Sequence, residues 1–294
     1  MGLVSRFAPS PTGRLHLGHA YSAVRAHDLA RDNGDRFLLR IEDIDGTRCR
    51  EEFIAGIEED LAWLGLAWDG PVIRQSARMH FYAEALARLQ GMGLVYPCFC
   101  TRAEIAASAS APHGPEGPVY PGTCRALSDA EHAARRGEPH CWRLNMARAI
   151  EVASDTPSPT RAEGLLWWHD EYAGWITADP ASAGDVVLAR KETPTSYHLA
   201  VTIDDAAQGV TDVVRGMDLF EATHVHRLLQ ALLGLPTPKY HHHPLLVGPD
   251  GKRLAKRNGA RPLAELRAEG ADPKTLLAAL RAGQVPIGVP TTEA

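Results

Sequence analysis

No run of about 18 or more apolar residues occurs in this 294-residue chain, so a membrane-crossing helix, which needs about 20, is not expected. The N-terminus moves straight into a polar motif without the apolar core of a signal peptide, and a cytoplasmic protein is expected. Cysteine is scarce. The chain has five, an odd number without disulfide-like spacing, which suits a reducing compartment where thiolates bind metal. Neither sign of charge dominates, since 31 Lys and Arg meet 36 Asp and Glu for a net charge of −5. That balance argues against a general nucleic-acid coat protein and leaves room for a local basic track. With 45% hydrophobic and 23% charged residues, the chain is long enough for one sizeable core plus an insertion or appendage, and two or three structural units are expected.

The stretch Arg6 to His19, RFAPSPTGRLHLGH, organises the rest. Its Pro-Ser-Pro-Thr-Gly cluster breaks regular structure, and the amphipathic run after it, closed by Gly34, predicts a helix beginning near His19. A helix N-terminus after a strand and loop presents unpaired N–H groups and partial positive charge to a phosphate. Gly18 permits close approach to the backbone, and His16 and His19 can hydrogen-bond an anion that gains charge during reaction. The strand Arg36 to Ile41 leads into acids at Glu42, Asp43 and Asp45, which a parallel α/β sheet sets near the first loop; Glu42 can receive a substrate ammonium. Helices are predicted over Cys49 to Leu64 and Met79 to Gln90, a strand-helix rhythm that suits a doubly wound sheet.

From Cys98 to about Thr123 the composition turns small and rich in Pro and Gly, a segment that buries little surface and needs a tie. Cys98, Cys100 and Cys124 bracket it, and three thiolates need one more donor for a tetrahedral zinc, from His113 or Tyr120. Cys49 and Cys141 read as structural. Residues 125–184 suggest a small α/β insertion, with CWRLNM and LLWWHDEYAGWI as strands or packed edges. Strands are then expected over Asp185 to Lys191, Tyr197 to Asp205 and Val210 to Gly216, followed by a helix over Leu219 to Leu233. In this reading Tyr197 starts one strand and Arg215 ends another, so a hydroxyl and a guanidinium converge on a small carboxylate. The cation-rich KRLAKRNGA, Lys252 to Ala260, looks like a phosphate-gripping loop, and helices near Leu263 to Glu269 and Pro273 to Arg281 end the chain.

In this order, RFAPSPTGRLHLGH, RIEDID, TSYHLAVTIDD with GVTDVVRG, and KRLAKR resemble the catalytic half of a class I glutamyl-tRNA synthetase. Too little chain follows the lysine loop for the helical anticodon-binding region of the full enzymes. With the CxC…YxxxC pattern, the resemblance is closest to the glutamyl-queuosine tRNA(Asp) synthetases, a family of truncated paralogues. It implies an α/β fold, a Rossmann-like doubly wound parallel sheet split by a small zinc-bearing α/β insertion, with a short helical C-terminal segment. The expected units are 1–94 and 185–235 for the two catalytic halves, 95–184 for the insertion and 236–294 for the signature loop and terminal helices. The resemblance implies L-glutamate against Arg6, Phe7, Ala8, Pro9, Ser10, Glu42, Tyr197 and Arg215. It implies ATP, with Mg²⁺, against His16, Gly18, His19 and Lys256, and one structural zinc on Cys98, Cys100, Tyr120 and Cys124. His16, His19 and Lys256 would be catalytic, and the acceptor would be the queuosine base of tRNA(Asp). A monomer is expected. Where the class I pattern has KMSKS, Arg253 to Arg257 read RLAKR; Lys256 stands, and Ala255 lacks a hydroxyl whose hydrogen bond contributes about 0.5–1.5 kcal/mol. The competing readings are charging of a tRNA 3′ end, a nucleotidyltransferase indifferent to RNA, and a catalytically inert RNA-binding module.

Overall fold

The computed structural model describes residues 2–32, 34–107, 113–114, 117–135, 137–155, 161–162, 164–247 and 261–285. Strand β1 (Val4–Phe7) is buried along its whole length, and its side chains alternate between two layers. Ser5 Oγ donates to Ala26 O at 2.6 Å in helix α1 (Leu17–Arg31), and Phe7 packs on the same side; Val4 and Arg6 face the other layer. Strand β2 (Arg36–Ile41) lies parallel to β1, from Val4↔Arg36 to Phe7↔Leu39. Helix α2 (Glu51–Trp63), strand β3 (Ile73–Arg74), parallel to β2, and helix α3 (Met79–Gly91) follow.

Strand β4 (Val95–Cys98) opens the insertion and pairs antiparallel with β5 (Cys141–Leu144), after which comes helix α4 (Met146–Asp155). Strands β6 (Leu165–Asp170) and β7 (Gly174–Thr177) form an antiparallel hairpin, and β8 (Val187–Ala189) returns to β5. Helix α5 (Tyr197–Ala207), strand β9 (Asp212–Gly216), helix α6 (Ala222–Leu233) and strand β10 (Lys239–His243) rebuild the main sheet. Strand β10 is parallel both to β9 and, at Tyr240↔Asp170, to β6. The two ladders abut along β1 and β9, where Thr211 N donates to Val4 O at 3.0 Å. The order is therefore β3-β2-β1-β9-β10-β6-β7, with β7 antiparallel to its neighbour and the short pair Arg161–Ala162 also antiparallel to β6. The junction of β1 and β9 is the switch point of a doubly wound sheet, where ligands bind beyond the strand ends.

One apolar core joins α1 and α2 to the terminal helices α7 (Leu263–Ala268) and α8 (Pro273–Arg281) on one face. A second joins α3, α4, α5 and α6 on the other. Among the described residues, no helix is long and apolar enough to cross a membrane.

The largest departures from the sequence reading are three. Tyr197 to Asp205, expected as a strand, is the helix α5. Seven of its residues are buried, so no polar stripe marks a period of 3.6, and the β-branched Val201, Thr202 and Ile203 imitate a strand. Tyr197 thus opens a helix and does not start a strand. The strand expected over Asp185 to Lys191 contracts to β8, which belongs to the β4-β5-β8 sheet of the insertion. Finally, Leu165–Asp170 joins the catalytic sheet through β10, so strand pairing cuts across the expected boundary at 184–185 on both sides.

Candidate active site and metal centre

Helix α1 begins at Leu17, two residues before the sequence suggested, because His16 is its N-cap. His16 Nδ1 accepts from Gly18 N at 3.1 Å, and His19 Nδ1 accepts from His16 N at 3.2 Å. This is a capping box built from two imidazoles whose centroids lie 3.8 Å apart. An Nδ1 that accepts from the backbone leaves the ring proton on Nε2, the arrangement of a hydrogen-bond donor toward an incoming anion.

A cavity of about 500 Å³ opens beside this helix start, at the switch point. It is lined by Arg6, Phe7, Ala8, Pro9, Ser10, His16, Gly18, His19, Glu42, Tyr197 and Arg215, so every described residue assigned to glutamate or ATP meets in one space. The correction at Tyr197 changes its element but not its destination: the first turn of α5 carries the phenol to Arg215, whose Nη1 donates to Tyr197 Oη at 3.2 Å.

Two buried cations reach this cavity. Arg6 donates through Nε and Nη2 to both oxygens of Asp205, at 2.9 and 3.2 Å. Asp205 also accepts from the fully buried Arg40 at 2.8 Å. Burial alone would raise the Asp205 carboxyl, but Arg6 and Arg40 hold it below the ordinary range. Glu42 accepts from Arg40 Nη2 at 3.3 Å, and burial pushes its carboxyl up, a tendency that a neighbouring ammonium would reverse. Arg215 differs. It donates to His242 Nε2 (3.0 Å), Tyr197 Oη (3.2 Å) and Thr223 Oγ1 (2.5 Å), with His226 Nδ1 at 3.4 Å.

The sequence reading missed Asp205, Arg40, Thr223 and His242. The pair Asp204-Asp205 was a visible signal, obscured because its segment was read as a strand; the triple histidine of β10 was another. Lys256, Arg253 and Ala255 lie outside the described residues. The chain on either side of 248–260 abuts the site: Leu245 and Leu246 line the cavity, and Pro262 bridges to His16.

In the insertion, the Sγ atoms of Cys98, Cys100 and Cys124 lie within 4.8 Å of one another, and Cys100 and Cys124 are 3.5 Å apart. Tetrahedral zinc with bonds of about 2.3 Å to sulfur needs sulfur–sulfur edges of about 3.8 Å, so small movements would suffice. Tyr120 Oη is 3.6 Å from Cys100 Sγ and accepts from Cys124 N at 2.7 Å, which brings a fourth donor to the cluster. The Arg143 guanidinium lies 4.0 Å from the Tyr120 ring centroid and offsets negative charge there. The donor set therefore fits a closed zinc site. Cys141, read from sequence as structural, sits opposite Cys98 in the β4-β5 register and points its thiol at Cys98 O, 3.5 Å away.

A second, larger cavity of about 880 Å³ runs between insertion and catalytic sheet, bordered by Tyr120, Arg143, Arg190 and Lys191, and shares Tyr197 and Asp218 with the first.

The sequence matches the family described as tRNA synthetases class I (E and Q), catalytic domain, over residues 2–288. A protein of Rhodobacter capsulatus named glutamyl-Q tRNA(Asp) synthetase is 51% identical over 280 residues, which cover 92% of this chain and 97% of that protein. One of the same name from Symbiobacterium thermophilum is 46% identical over 285 residues, covering 94% and 84%. Among solved structures, a glutamate tRNA ligase from Elizabethkingia meningosepticum, in complex with its amino acid, superimposes with a TM-score of 0.76 at 26% identity. That likeness covers 95% of this chain and 60% of the ligase, so the chain spans about 60% of its length. With a match over residues 2–288 and half-identity across nearly all of a relative, the chain belongs to the class I tRNA synthetases of the E and Q type and, within them, to the glutamyl-Q tRNA(Asp) synthetases, which are ligases.

Proposed function

We propose that this protein activates L-glutamate with ATP and transfers the glutamyl group to the queuosine base of tRNA(Asp). The observation that carries the glutamate assignment is Arg215, a buried guanidinium in the cavity wall whose hydrogen-bond partners among the described residues are all neutral. A substrate carboxylate supplies the missing counter-charge through the remaining Nη2–H. Glu42, across the cavity, receives the ammonium. The α-carboxylate oxygen attacks the α-phosphorus of ATP, which enters with Mg²⁺, and the bond to pyrophosphate breaks. His16 and His19 donate from Nε2 to the phosphates as charge gathers there, and Lys256 adds its charge from the signature loop. An RNA hydroxyl then attacks the adenylate carbonyl, AMP leaves, and its phosphate keeps the bonding electrons. No protein nucleophile is required.

The queuosine acceptor rests on the names of relatives matched over most of their length. The larger cavity, joined to the first at Tyr197, gives an RNA loop a way in past Arg190 and Lys191. Zinc, held by Cys98, Cys100, Tyr120 and Cys124, would clamp the insertion that forms one wall and takes no part in the chemistry. With these substrates the protein works in the cytoplasm, as a monomer. The likeness to a glutamate tRNA ligase favours one second reading, charging of a tRNA 3′ end.

ATP–pyrophosphate exchange with each amino acid tests activation, and transfer of labelled glutamate tests the acceptor. tRNA(Asp) whose 3′ terminal diol was destroyed by periodate before the queuosine base was introduced should still accept glutamate, and tRNA(Asp) without the modification should be inert. Charging of unmodified tRNA(Glu), abolished by periodate, would establish the second reading.

A further inference from the structure

The two cations of the pocket are held in different ways. Arg6 spends its fork on the Asp205 carboxylate, whereas no carboxylate among the described residues pairs with Arg215. A buried guanidinium kept for a ligand must be oriented by groups that do not neutralise it. His242 meets this need. The Arg215 Nε–H can only donate, so His242 Nε2, 3.0 Å away, must accept, and the ring proton must stand on Nδ1. Nδ1 in turn lies 2.8 Å from Asp170 Oδ2, and a carboxylate can only accept. Each link in the chain therefore has one solution.

The surroundings enforce it. Both His242 and Asp170 are fully buried, and the imidazole packs against Phe220, Tyr240 and Trp168 at centroid distances of 5.0, 5.8 and 5.8 Å. Burial and the charge of Arg215 push His242 down to about 3, despite Asp170, so the ring stays neutral. Burial would raise the Asp170 carboxyl, but the Ala173 N–H and His242 hold it below the ordinary range.

We propose that Asp170 and His242 are positioning residues: the carboxylate locks the imidazole as its Nδ1–H tautomer, so that Nε2 aims the Arg215 fork at the substrate carboxylate and leaves its charge uncompensated. This rests on Arg215 as the carboxylate reader. It also gives the β6-β10 pairing a role, because the Tyr240↔Asp170 register carries the acid to the histidine two residues along β10.

The test is ATP–pyrophosphate exchange with His242→Phe, which removes the acceptor, and Asp170→Asn. The asparagine keeps an oxygen for the N–H groups of Tyr172 and Ala173 but turns an amide donor toward Nδ1, favouring the wrong tautomer. Each should raise the KM for glutamate about tenfold or more, with the KM for ATP within about twofold of wild type, and narrow the preference for glutamate over glutamine. His242→Gln, whose carbonyl can take the Nε–H, should recover part of the loss. Thermal melts accompany each variant; if His242→Phe does not fold, Asp170→Asn decides. A purely structural role predicts that both KM values move together or neither does. Wild-type protein without glutamate-dependent exchange would overturn the reading of the site itself. Normal wild-type exchange together with an unchanged glutamate KM in Asp170→Asn would overturn the positioning pair alone.

Discussion

Replacing Asp205 by asparagine removes the carboxylate that two buried arginines share. Arg6 approaches it at 2.9 and 3.2 Å and Arg40 at 2.8 Å, with Asp205 only 7% exposed and Arg40 fully buried. Asparagine keeps one acceptor oxygen but turns a donor toward a guanidinium and leaves an excess positive charge. Glu42, 3.3 Å from Arg40, is a poor substitute because burial already disfavours its ionised form. Breaking a buried ion pair by removing one partner costs about 3–5 kcal/mol. With an unfolding entropy of about 2.1 cal/mol/K per residue, that loss lowers the Tm of a chain this long by about 5–8 °C. Thermal unfolding of both proteins at pH 7.5 measures it, and exchange kinetics should report a higher glutamate KM as Arg6 swings away. The sign with pH is fixed as well. Asp205 has its carboxyl depressed in the folded state, so its contribution is present above the unfolded value of about 4 and is lost as pH falls through the lower folded value. The gap between wild type and Asp205→Asn must therefore narrow in acid. A loss below about 1 kcal/mol at pH 7.5 would refute the view that this carboxylate compensates both arginines.

Asp60 presents the opposite sign: it is buried, its Oδ1 makes no hydrogen bond among the described residues and only a long ion pair with Arg267 Nη1 at 3.6 Å, and burial pushes its carboxyl up to about 6 against the pull of Arg267 and Arg14. Its ionisation destabilises the fold progressively from about pH 4 to 6, so Asp60→Asn should gain about 1–2 kcal/mol at pH 7.5 and little at pH 4.5, read by urea unfolding at the two pH values. Purified protein should carry about one zinc per chain by metal analysis, and Cys100→Ser should lower it; a folded, metal-free preparation would exclude the zinc clamp. Lys256→Ala should lower the exchange kcat by about 10²-fold with little change in glutamate binding, and an unchanged kcat would remove Lys256 from the mechanism.

Much of the site was legible because its motifs are local. RFAPSPTGRLHLGH holds a strand end, a loop and a helix cap within fourteen residues, and strand Arg36 to Ile41 was read at its observed ends. Segments buried on every side were not legible, because helical periodicity requires a polar face; hence the strand reading of α5, and with it the failure to see Asp205 as the holder of Arg6. The hairpin β6-β7 was assigned to the insertion because sequence order hides the pairing of Asp170 with Tyr240. His242 escaped for a related reason. A histidine in a strand acquires a role only through partners 27 and 72 residues away, Arg215 and Asp170.

The imidazole cap of helix α1 would tie the integrity of the helix to the reactivity proposed for the same two rings. The Nδ1 lone pairs of His16 and His19 secure the first turn, and both residues line the cavity. Substituting either ring therefore perturbs two observables through one cause, and a kinetic deficit measured for such a variant mixes lost charge stabilisation with a frayed helix start. An asparagine, whose short amide can replace the cap without reaching the phosphates, would separate the two contributions.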